Sequence, residues 1–164
     1  MSRAHRHAYA GNGFTYIELV VTVAIVAILA AGALPMVEIA ARRHKELELR
    51  AALRELRAGL DQYRKAYDEG RIARRTNESG YPPSLQALVD GVEDAKSATK
   101  KRIYFMRRLP RDPFFREPAS SAAATWGKRS YSSGPDAPQE GEDVFDVYSL
   151  SPEAGLNGVP YRDW

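Results

Sequence analysis

The hydrophobic pattern of the chain begins with one long apolar run. No charged residue occurs from Leu19 to Leu34, and the apolar stretch extends on either side to Phe14 and Met36. As a helix, this stretch would be about 34 Å long at about 1.5 Å per residue, enough to cross a hydrocarbon core of about 30 Å. The pattern therefore predicts a membrane-length helix with a single carboxylate, Glu18, near its start.

After Pro35 the pattern becomes that of an amphipathic helix. Apolar side chains recur at spacings of four and three, at Leu49, Leu53, Leu56, Leu60, Tyr63 and Tyr67. Charged residues lie between them, which indicates one buried face and one solvated face; a coiled coil would need more heptads. We predict one helix from Phe14 to about Asp68, with a kink at Pro35, where a helix hydrogen bond is lost, and a stop at Gly70.

The residues that follow predict a small domain of short elements. "SLQALVDG" is typical of a short helix that has Ser84 as its N-cap and ends at Gly91. "TWGKRSYSS" and "DVFDVYSLS" predict two strands joined by the turn-rich "GPDAPQEGE", and 116–125 is expected to be a flexible loop. The predicted fold class is α+β: a long N-terminal helix packed on a small C-terminal domain with a short antiparallel sheet.

The amino-acid composition excludes several kinds of functional site. The 164 residues include no cysteine and carry a formal net charge of +3. Disulfides, thiolate metal sites and cysteine nucleophiles are therefore excluded. The basic, aromatic stretch "KKRIYFMRR", residues 100–108, has the composition of a nucleic-acid patch, but a strand or turn with solvated basic flanks is favoured, and we expect no nucleic-acid partner.

Catalytic residue sets are not apparent in the sequence. His5 and His7 precede the apolar run, and His44 follows it in a basic segment. The domain therefore has no histidine-based triad, and its serines and carboxylates have no motif context. We predict that the chain is not an enzyme.

The basic N-terminal segment and the apolar run after it have two ordinary explanations. Residues 1–13 are short and basic, as in a secretory signal, and "AAGA" near Ala33 offers a cleavage site. Against this, the apolar run is longer than the usual signal core. The other explanation is a plain signal anchor whose Glu18 reaches to the membrane interface.

A more specific motif lies at the same place. "GFTYIEL", beginning at Gly13 after a basic leader, resembles the cleavage site of type IV prepilins and type II secretion pseudopilins, with Tyr16 where leucine is commoner. The resemblance implies that a membrane-embedded peptidase cuts between Gly13 and Phe14 and methylates the new amino terminus of Phe14. It also implies that Glu18 acts in filament assembly by pairing with the amine of a neighbouring subunit.

The resemblance continues into the domain. "GYPPSLQALVDG" and "LPRDPF" are similar to stretches of the major pseudopilin, which binds calcium in a loop beside its last strand. The corresponding segment here, 149–155, lacks the expected aspartate and is stiffened by Pro152. Because calcium requires six to eight oxygens, we predict no metal and no cofactor, with calcium in this loop as the alternative. Gly155, Gly158 and Pro160 would then close the loop, with Tyr161 and Trp164 packed back on the sheet.

The family implies a division of the chain and a location. Residues 1–13 would be the prepilin leader, 14–36 the transmembrane and filament-core half of the helix, 37–69 its amphipathic half and 70–164 the globular domain. The resemblance places the chain in the bacterial inner membrane, single-pass, with its domain in the periplasm. Basic residues alone leave the orientation ambiguous, because they flank the run on both sides.

The implied function is structural. The chain would be a subunit of a type II secretion pseudopilus, involved in protein export across the outer membrane. Its partners would be further copies, other pseudopilins, the prepilin peptidase and the inner-membrane secretion platform. Two alternatives are a type IV pilus or competence pilin, which often carries a C-terminal disulfide, and a signal-anchored periplasmic binding domain.

Overall fold

The computed structural model describes residues 13–74, 78–117 and 121–164. In chain order its elements are α1 (Tyr16–Asp68), α2 (Gln86–Asp90), β1 (Val92–Glu93), β2 (Arg102–Ile103), β3 (Trp126–Arg129) and β4 (Asp146–Ser149), with short 3-10 helices at Ala122–Thr125 and Tyr161–Asp163. One long N-terminal helix precedes two small antiparallel sheets, so the α+β prediction is confirmed. The chain divides into two compact units, residues 1–41 and 42–164.

The first unit contains the apolar start of α1. From Gly13 to Ala31 and from Met36 to Ala41, every side chain is exposed, including large ones such as Ile28 and Leu29. By length and composition, α1 qualifies as a candidate membrane span. The helix runs unbroken from Tyr16 to Asp68, and the kink expected at Pro35 stays a prediction.

The predicted stripe forms the core of the second unit. Leu49, Leu53, Leu56, Leu60 and Tyr63 are each no more than 6 % exposed. They belong to one apolar cluster with Leu85, Leu88, Met106, Trp126, Val147 and Tyr161. Each such side chain contributes about 1.5–3 kcal/mol of burial free energy. From Arg42 onward, the amphipathic half of α1 thus packs on the C-terminal domain as predicted.

Helix α1 ends at a glycine, also as predicted. Gly70 has a φ of 71°, a conformation in which a side chain would be strained. The N–H of Gly70 donates to the carbonyl of Tyr67, and the N–H of Arg71 donates to that of Ala66, both at 2.9 Å. This pair of bonds is a Schellman motif, which satisfies carbonyls at the helix end.

The two predicted strands pair with each other. β3 and β4 are antiparallel, with Trp126 opposite Ser149 and Arg129 opposite Asp146. The alternation expected in β4 is present, since Val147 and Ser149 are buried while their neighbours are partly exposed. The second sheet, in which β1 pairs with β2, was not predicted, although a strand or turn was expected within 100–108 and β2 lies there.

Two local predictions were wrong. Helix α2 has Leu85 at its N-cap position with no side-chain cap, so Ser84 is not the cap. Burial of Leu85 and Leu88 fixes this short helix instead. Within 116–125, expected to be a flexible loop, Ala122–Thr125 form a 3-10 helix that is capped by Ser121. It is held because the Thr125 hydroxyl, fully buried, accepts a hydrogen bond from the N–H of Asp112 at 3.1 Å; residues 118–120 lie outside the described part.

Candidate functional site

The start of α1 is set by a threonine. Thr15 precedes the first helical residue, and its hydroxyl oxygen accepts a hydrogen bond from the N–H of Glu18 at 3.3 Å. Threonine at the N-cap with glutamate three residues later has the spacing of a capping box, a signal that the sequence analysis missed. The Thr22 hydroxyl donates to the Leu19 carbonyl at 2.9 Å, so its polar group is satisfied within the apolar run.

Glu18 lies in the first turn of α1, where a negative charge interacts favourably with the helix dipole. Its side chain is exposed, and within the described residues its carboxylate has no hydrogen-bond or ion-pair partner. Phe14 is 80 % exposed, and a Cβ added to Gly13 would meet nothing within 4 Å. The three residues of the predicted N-terminal site are therefore accessible to a protease or to another chain.

A second set of polar residues joins α1 to the C-terminal loop, and we call Arg42, Glu46, Glu153 and Tyr161 the C-terminal clasp. Glu46 is only 7 % exposed. Its Oε1 accepts hydrogen bonds from the N–H of Leu156 at 2.7 Å and from the Tyr161 hydroxyl at 3.1 Å. A buried carboxylate is stable here because two donors compensate its desolvation.

Arg42, one helical turn before Glu46, completes the clasp. Its Nε donates to the Tyr161 hydroxyl at 3.1 Å, and its Nη2 donates to the Ala154 carbonyl at 2.6 Å. The same guanidinium pairs with Glu153 at 3.4 Å. Burial raises the pKa of Tyr161 above its usual value, and Glu46 adds to this effect while Arg42 opposes it. The tyrosine therefore remains a neutral hydrogen-bond donor to Glu46 across the physiological range.

Arg57 links Trp164 to the β3–β4 sheet. It donates to the Trp164 carbonyl at 2.8 Å, and it pairs with Asp146 at 2.9 Å. The Tyr161 ring stacks on Phe114, with centroids 4.1 Å apart, and meets the Trp164 ring edge-on at 4.9 Å. The prediction that the C-terminal aromatic residues pack back on the domain is confirmed for the fully buried Tyr161.

The loop itself closes through backbone hydrogen bonds. The N–H of Gly155 donates to the Val159 carbonyl, and the N–H of Gly158 donates to the Gly155 carbonyl, both at 2.8 Å. Ala154 and Pro160 form an antiparallel bridge. The predicted closure by Gly155, Gly158 and Pro160 is thus confirmed, but the sequence analysis missed the clasp residues on α1. One signal was available: Glu46 lies three residues before Leu49, in phase with the apolar stripe.

Asp112, in the "LPRDPF" stretch, is a further buried carboxylate at 2 % exposure. Its Oδ1 accepts from the N–H of Phe114 at 2.8 Å, and its Oδ2 accepts from the Ser149 hydroxyl at 2.5 Å. The Trp126 indole donates to the carbonyl of Pro110 at 2.9 Å. Asp112 therefore joins this turn to the end of β4, which is a structural role.

The loop predicted to lack a metal offers few free oxygens. The Glu153 carboxylate pairs with Arg116 at 2.8 Å as well as with Arg42, and the Ser149 hydroxyl is bonded to Asp112. Across residues 13–74, 78–117 and 121–164, no three His, Cys, Asp or Glu side chains gather as a metal site would require. A cation that used Glu153 as a ligand would have to compete with two arginines.

His44 pairs with Glu48 at 3.1 Å, four residues along the exposed face of α1, and both are solvated. His5 and His7 lie outside the described residues.

No family of proteins, curated protein or solved structure was found to match this chain. A functional inference therefore rests on the residues of the chain and their geometry.

Proposed function

We propose that the chain is a pilin-like structural subunit, closest to the major pseudopilin of a type II secretion system, and that it has no catalytic role. The observation that supports this most directly is Glu18, a carboxylate without a described partner in the first turn of an apolar, exposed helix. It lies four residues after Phe14, which would become the amino terminus if the chain were cut after Gly13.

The pairing of Glu18 with an amine would drive assembly. A carboxylate in the middle of a membrane costs about 2.5–3.5 kcal/mol on insertion scales. Cleavage would create a free α-amine on Phe14, and the amine of one copy could neutralise Glu18 of the next. In a medium of low dielectric constant such a pair attracts strongly, and a missing partner is costly. Glu18 would therefore set the register of neighbouring copies, and the apolar half of α1 would supply the filament core.

The proposal includes a location and partners. The chain would cross the bacterial inner membrane once, with its C-terminal domain in the periplasm. It would meet the prepilin peptidase first, then the secretion platform, other pseudopilins and further copies of itself. We propose no nucleic-acid partner, because the basic stretch 100–108 contributes a strand, β2, and packs Met106 into the core.

A type IV pilus or competence pilin is the second candidate, since it would have the same N-terminal segment. The absence of cysteine from the sequence favours the pseudopilin, because a disulfide often closes the C-terminal region of pilins. The third candidate, a signal-anchored periplasmic binding domain, would keep its N-terminus, whereas a chain with an ordinary secretory signal would be cut near Ala33.

The position of cleavage tests the proposal. The full chain is expressed in bacteria with and without a prepilin peptidase, and its intact mass is measured. We expect loss of residues 1–13 and addition of one methyl group on Phe14, only when the peptidase is present. Gly13→Val should abolish the cut, whereas the matched change Gly11→Val in the leader should leave it in place. An uncut wild-type chain, or a cut near Ala33, would refute the proposal in favour of a signal anchor or an ordinary secretory signal.

A further inference from the structure

A cavity of about 640 Å³ in the second unit has two tyrosines in its wall, and we call it the tyrosine cavity. The rings of Tyr81 and Tyr131 stack with their centroids 5.9 Å apart, and both meet the ring of Phe145 edge-on, at 4.9 and 5.4 Å. Tyr131 is 60 % exposed, so its ring is accessible. These contacts hold an aromatic surface in place, and such a surface attracts a cation that lies over it.

Two carboxylates also line the tyrosine cavity. Asp143 accepts hydrogen bonds from the hydroxyls of Ser79 and Ser130 and from the N–H of Tyr131, and none of these donors is charged. Glu142 is exposed, and its carboxylate has no hydrogen-bond or ion-pair partner in the described part of the chain. No lysine or arginine occurs among the described residues that line the cavity. The two negative charges are therefore not neutralised by an ion pair within these residues.

The cations nearest to the cavity are already engaged with acids. Arg64 lies over the Tyr81 ring, 5.5 Å from its centroid, and pairs with Asp68 at 3.0 Å. Arg74 donates to the carbonyl of the same Asp68 at 3.1 Å. On β3 the ion pairs are Lys128–Glu140 and Arg129–Asp146. The described charges around the cavity thus remain net negative, although the whole chain is net positive.

An exposed basic surface lies on the opposite flank of α1. Arg107 and Arg108 line a groove together with Glu55 and Gln62, and we call it the basic groove. Because an α-helix turns about 100° per residue, the side chain of Gln62 projects about 160° away from that of Arg64 around the axis of α1. The basic groove and the tyrosine cavity therefore face different directions, and one copy cannot place its own groove in its own cavity.

The positive charge of the basic groove is only partly offset. Glu55 is the one acid among the described residues that line it. Segment 100–108 contributes five basic residues and no acidic residue. Within the described residues, the side chains of Arg107 and Arg108 have neither an ion pair nor a hydrogen bond. Two guanidinium groups are thus available to a carboxylate of another chain.

We propose that the tyrosine cavity of one copy binds the basic groove of a second copy, with Arg107 and Arg108 against Glu142, Asp143 and the Tyr131 ring. Opposite charges on the two surfaces favour this pairing and disfavour contacts between two cavities or two grooves. Two different surfaces meet in such a contact, and a heterologous contact that does not close into a ring generates an open helical filament. The inference therefore rests on the proposed assembly of copies into a filament.

Cross-linking tests the contact, because the chain has no cysteine of its own. One full-length copy carries Ser132→Cys, at an exposed position of the tyrosine cavity. A second copy, distinguished by an epitope tag, carries Gln62→Cys in the basic groove. Both are expressed in cells that have the prepilin peptidase and lack the wild-type copy, and a short bismaleimide is added. We expect a mixed dimer when both copies are present, and monomers when either is expressed alone. Leu150→Cys, 46 % exposed and outside both surfaces, replaces Gln62→Cys as the control and should give no mixed dimer.

Charge reversal separates a specific contact from a damaged fold. Glu142→Lys in the first copy should abolish most of the mixed dimer, and so should Arg107→Glu with Arg108→Glu in the second copy. The reversals combined, each in its own copy, should restore cross-linking, because opposite charges again face each other. Arg162→Glu makes the same change of charge at a position whose side chain is 56 % exposed, and it should leave cross-linking unchanged.

Three outcomes would overturn the inference: no mixed dimer, dimers from Ser132→Cys alone, or reversals that neither weaken nor restore the contact. The N-terminus and the filaments of the wild type are measured in parallel, so the proposed function is judged separately. Wild-type filaments without a mixed dimer would refute the inference alone. A mixed dimer from a chain that forms no filaments would support the contact and refute the filament function, and the absence of both would refute both.

Discussion

Two glutamates on α1 show how position decides the role of one residue type. Glu18 is exposed among apolar side chains and has no partner in the described part of the chain. Glu46 is buried and accepts two hydrogen bonds from the C-terminal loop. A buried, bonded carboxylate stabilises a fold locally, whereas an unbonded carboxylate next to a membrane-length run needs a partner from elsewhere. This contrast supports a structural role for Glu46 and an assembly role for Glu18.

The role of Glu46 is testable by removing its oxygens. In the fragment 38–164, Glu46→Ala would leave the N–H of Leu156 and the hydroxyl of Tyr161 without their acceptor, and each orphaned group costs about 1–3 kcal/mol. Glu46→Gln retains one carbonyl oxygen and should cost less. Glu48→Ala, on the exposed face, should change the free energy of unfolding by about 0.5 kcal/mol or less. Urea melts measure all three, and equal midpoints for Glu46→Ala and Glu48→Ala would show that the clasp contributes nothing to stability.

The clasp residues could not be predicted because their partners are remote in sequence. Leu156 and Tyr161 lie 110 and 115 residues after Glu46. Periodicity tells which face of a helix is buried, but it does not tell which distant loop will cover that face. Arg42 is one of several basic residues that follow the apolar run, and nothing in that pattern indicates that its guanidinium is bonded to the same loop.

Among the elements, those with a long local pattern were predicted well. The stripe of α1 repeats over several turns, and β3 and β4 have four residues each, so periodicity identifies them. β1 and β2 have two residues each, too few for alternation to be seen. They form because chain reversal brings them together, with Val92 opposite Ile103.

Two glycines with the same φ angle provide a test at this scale. Gly70, at the end of α1, and Gly91, at the end of α2, both have a φ of 71°. At Gly70, in the left-handed helical region, alanine costs about 1–2 kcal/mol. Gly91 has a ψ of 165°, in a region that is essentially restricted to glycine and costs other residues about 1–3 kcal/mol. At Gly70 the new Cβ would meet only Lys96, at 3.8 Å, but at Gly91 it would lie 2.8 Å from the carbonyl oxygen of Ile103. Gly91→Ala should therefore lower the unfolding free energy by about 1–3 kcal/mol more than Gly70→Ala. Equal losses in denaturant melts would contradict the close approach of β2 to Gly91.

The C-terminal loop permits a metal test. Because Glu153 is paired with two arginines and the expected aspartate is absent, we expect calcium to be dispensable. Thermal melts of fragment 38–164 with calcium and with a chelator should coincide. A ligand that binds only the folded state raises the melting temperature as its concentration increases. Such a rise with calcium, and not with magnesium, would show that the loop holds calcium after all.

At the scale of the whole molecule, the two units differ in how much of their apolar surface is buried within the chain. The second unit has a core formed by the stripe, the sheets and the C-terminal clasp. In the first unit every described side chain is exposed, so these residues gain little from burial within this chain. Large exposed apolar surfaces of this kind are covered by lipid or by other chains. A membrane-stored subunit whose apolar half later moves into a filament core would use both coverings in turn.

That sequence of events predicts the behaviour of Glu18→Ala. The variant loses the charge that makes insertion costly, so it should enter the membrane at least as well as the wild type. Fragment 38–164 does not contain residue 18, so the stability of the domain should be unchanged, and cleavage after Gly13 should continue. Filaments should be lost, because the Phe14 amine would be buried without a partner. Thr22→Ala is a matched control, since its hydroxyl is bonded within its own helix. In cells without the wild-type copy, the N-terminus is determined by mass spectrometry and sheared filaments are counted by electron microscopy. Normal filaments from Glu18→Ala would refute the pairing with the Phe14 amine. The role left to Glu18 would then be its favourable interaction with the dipole at the start of α1.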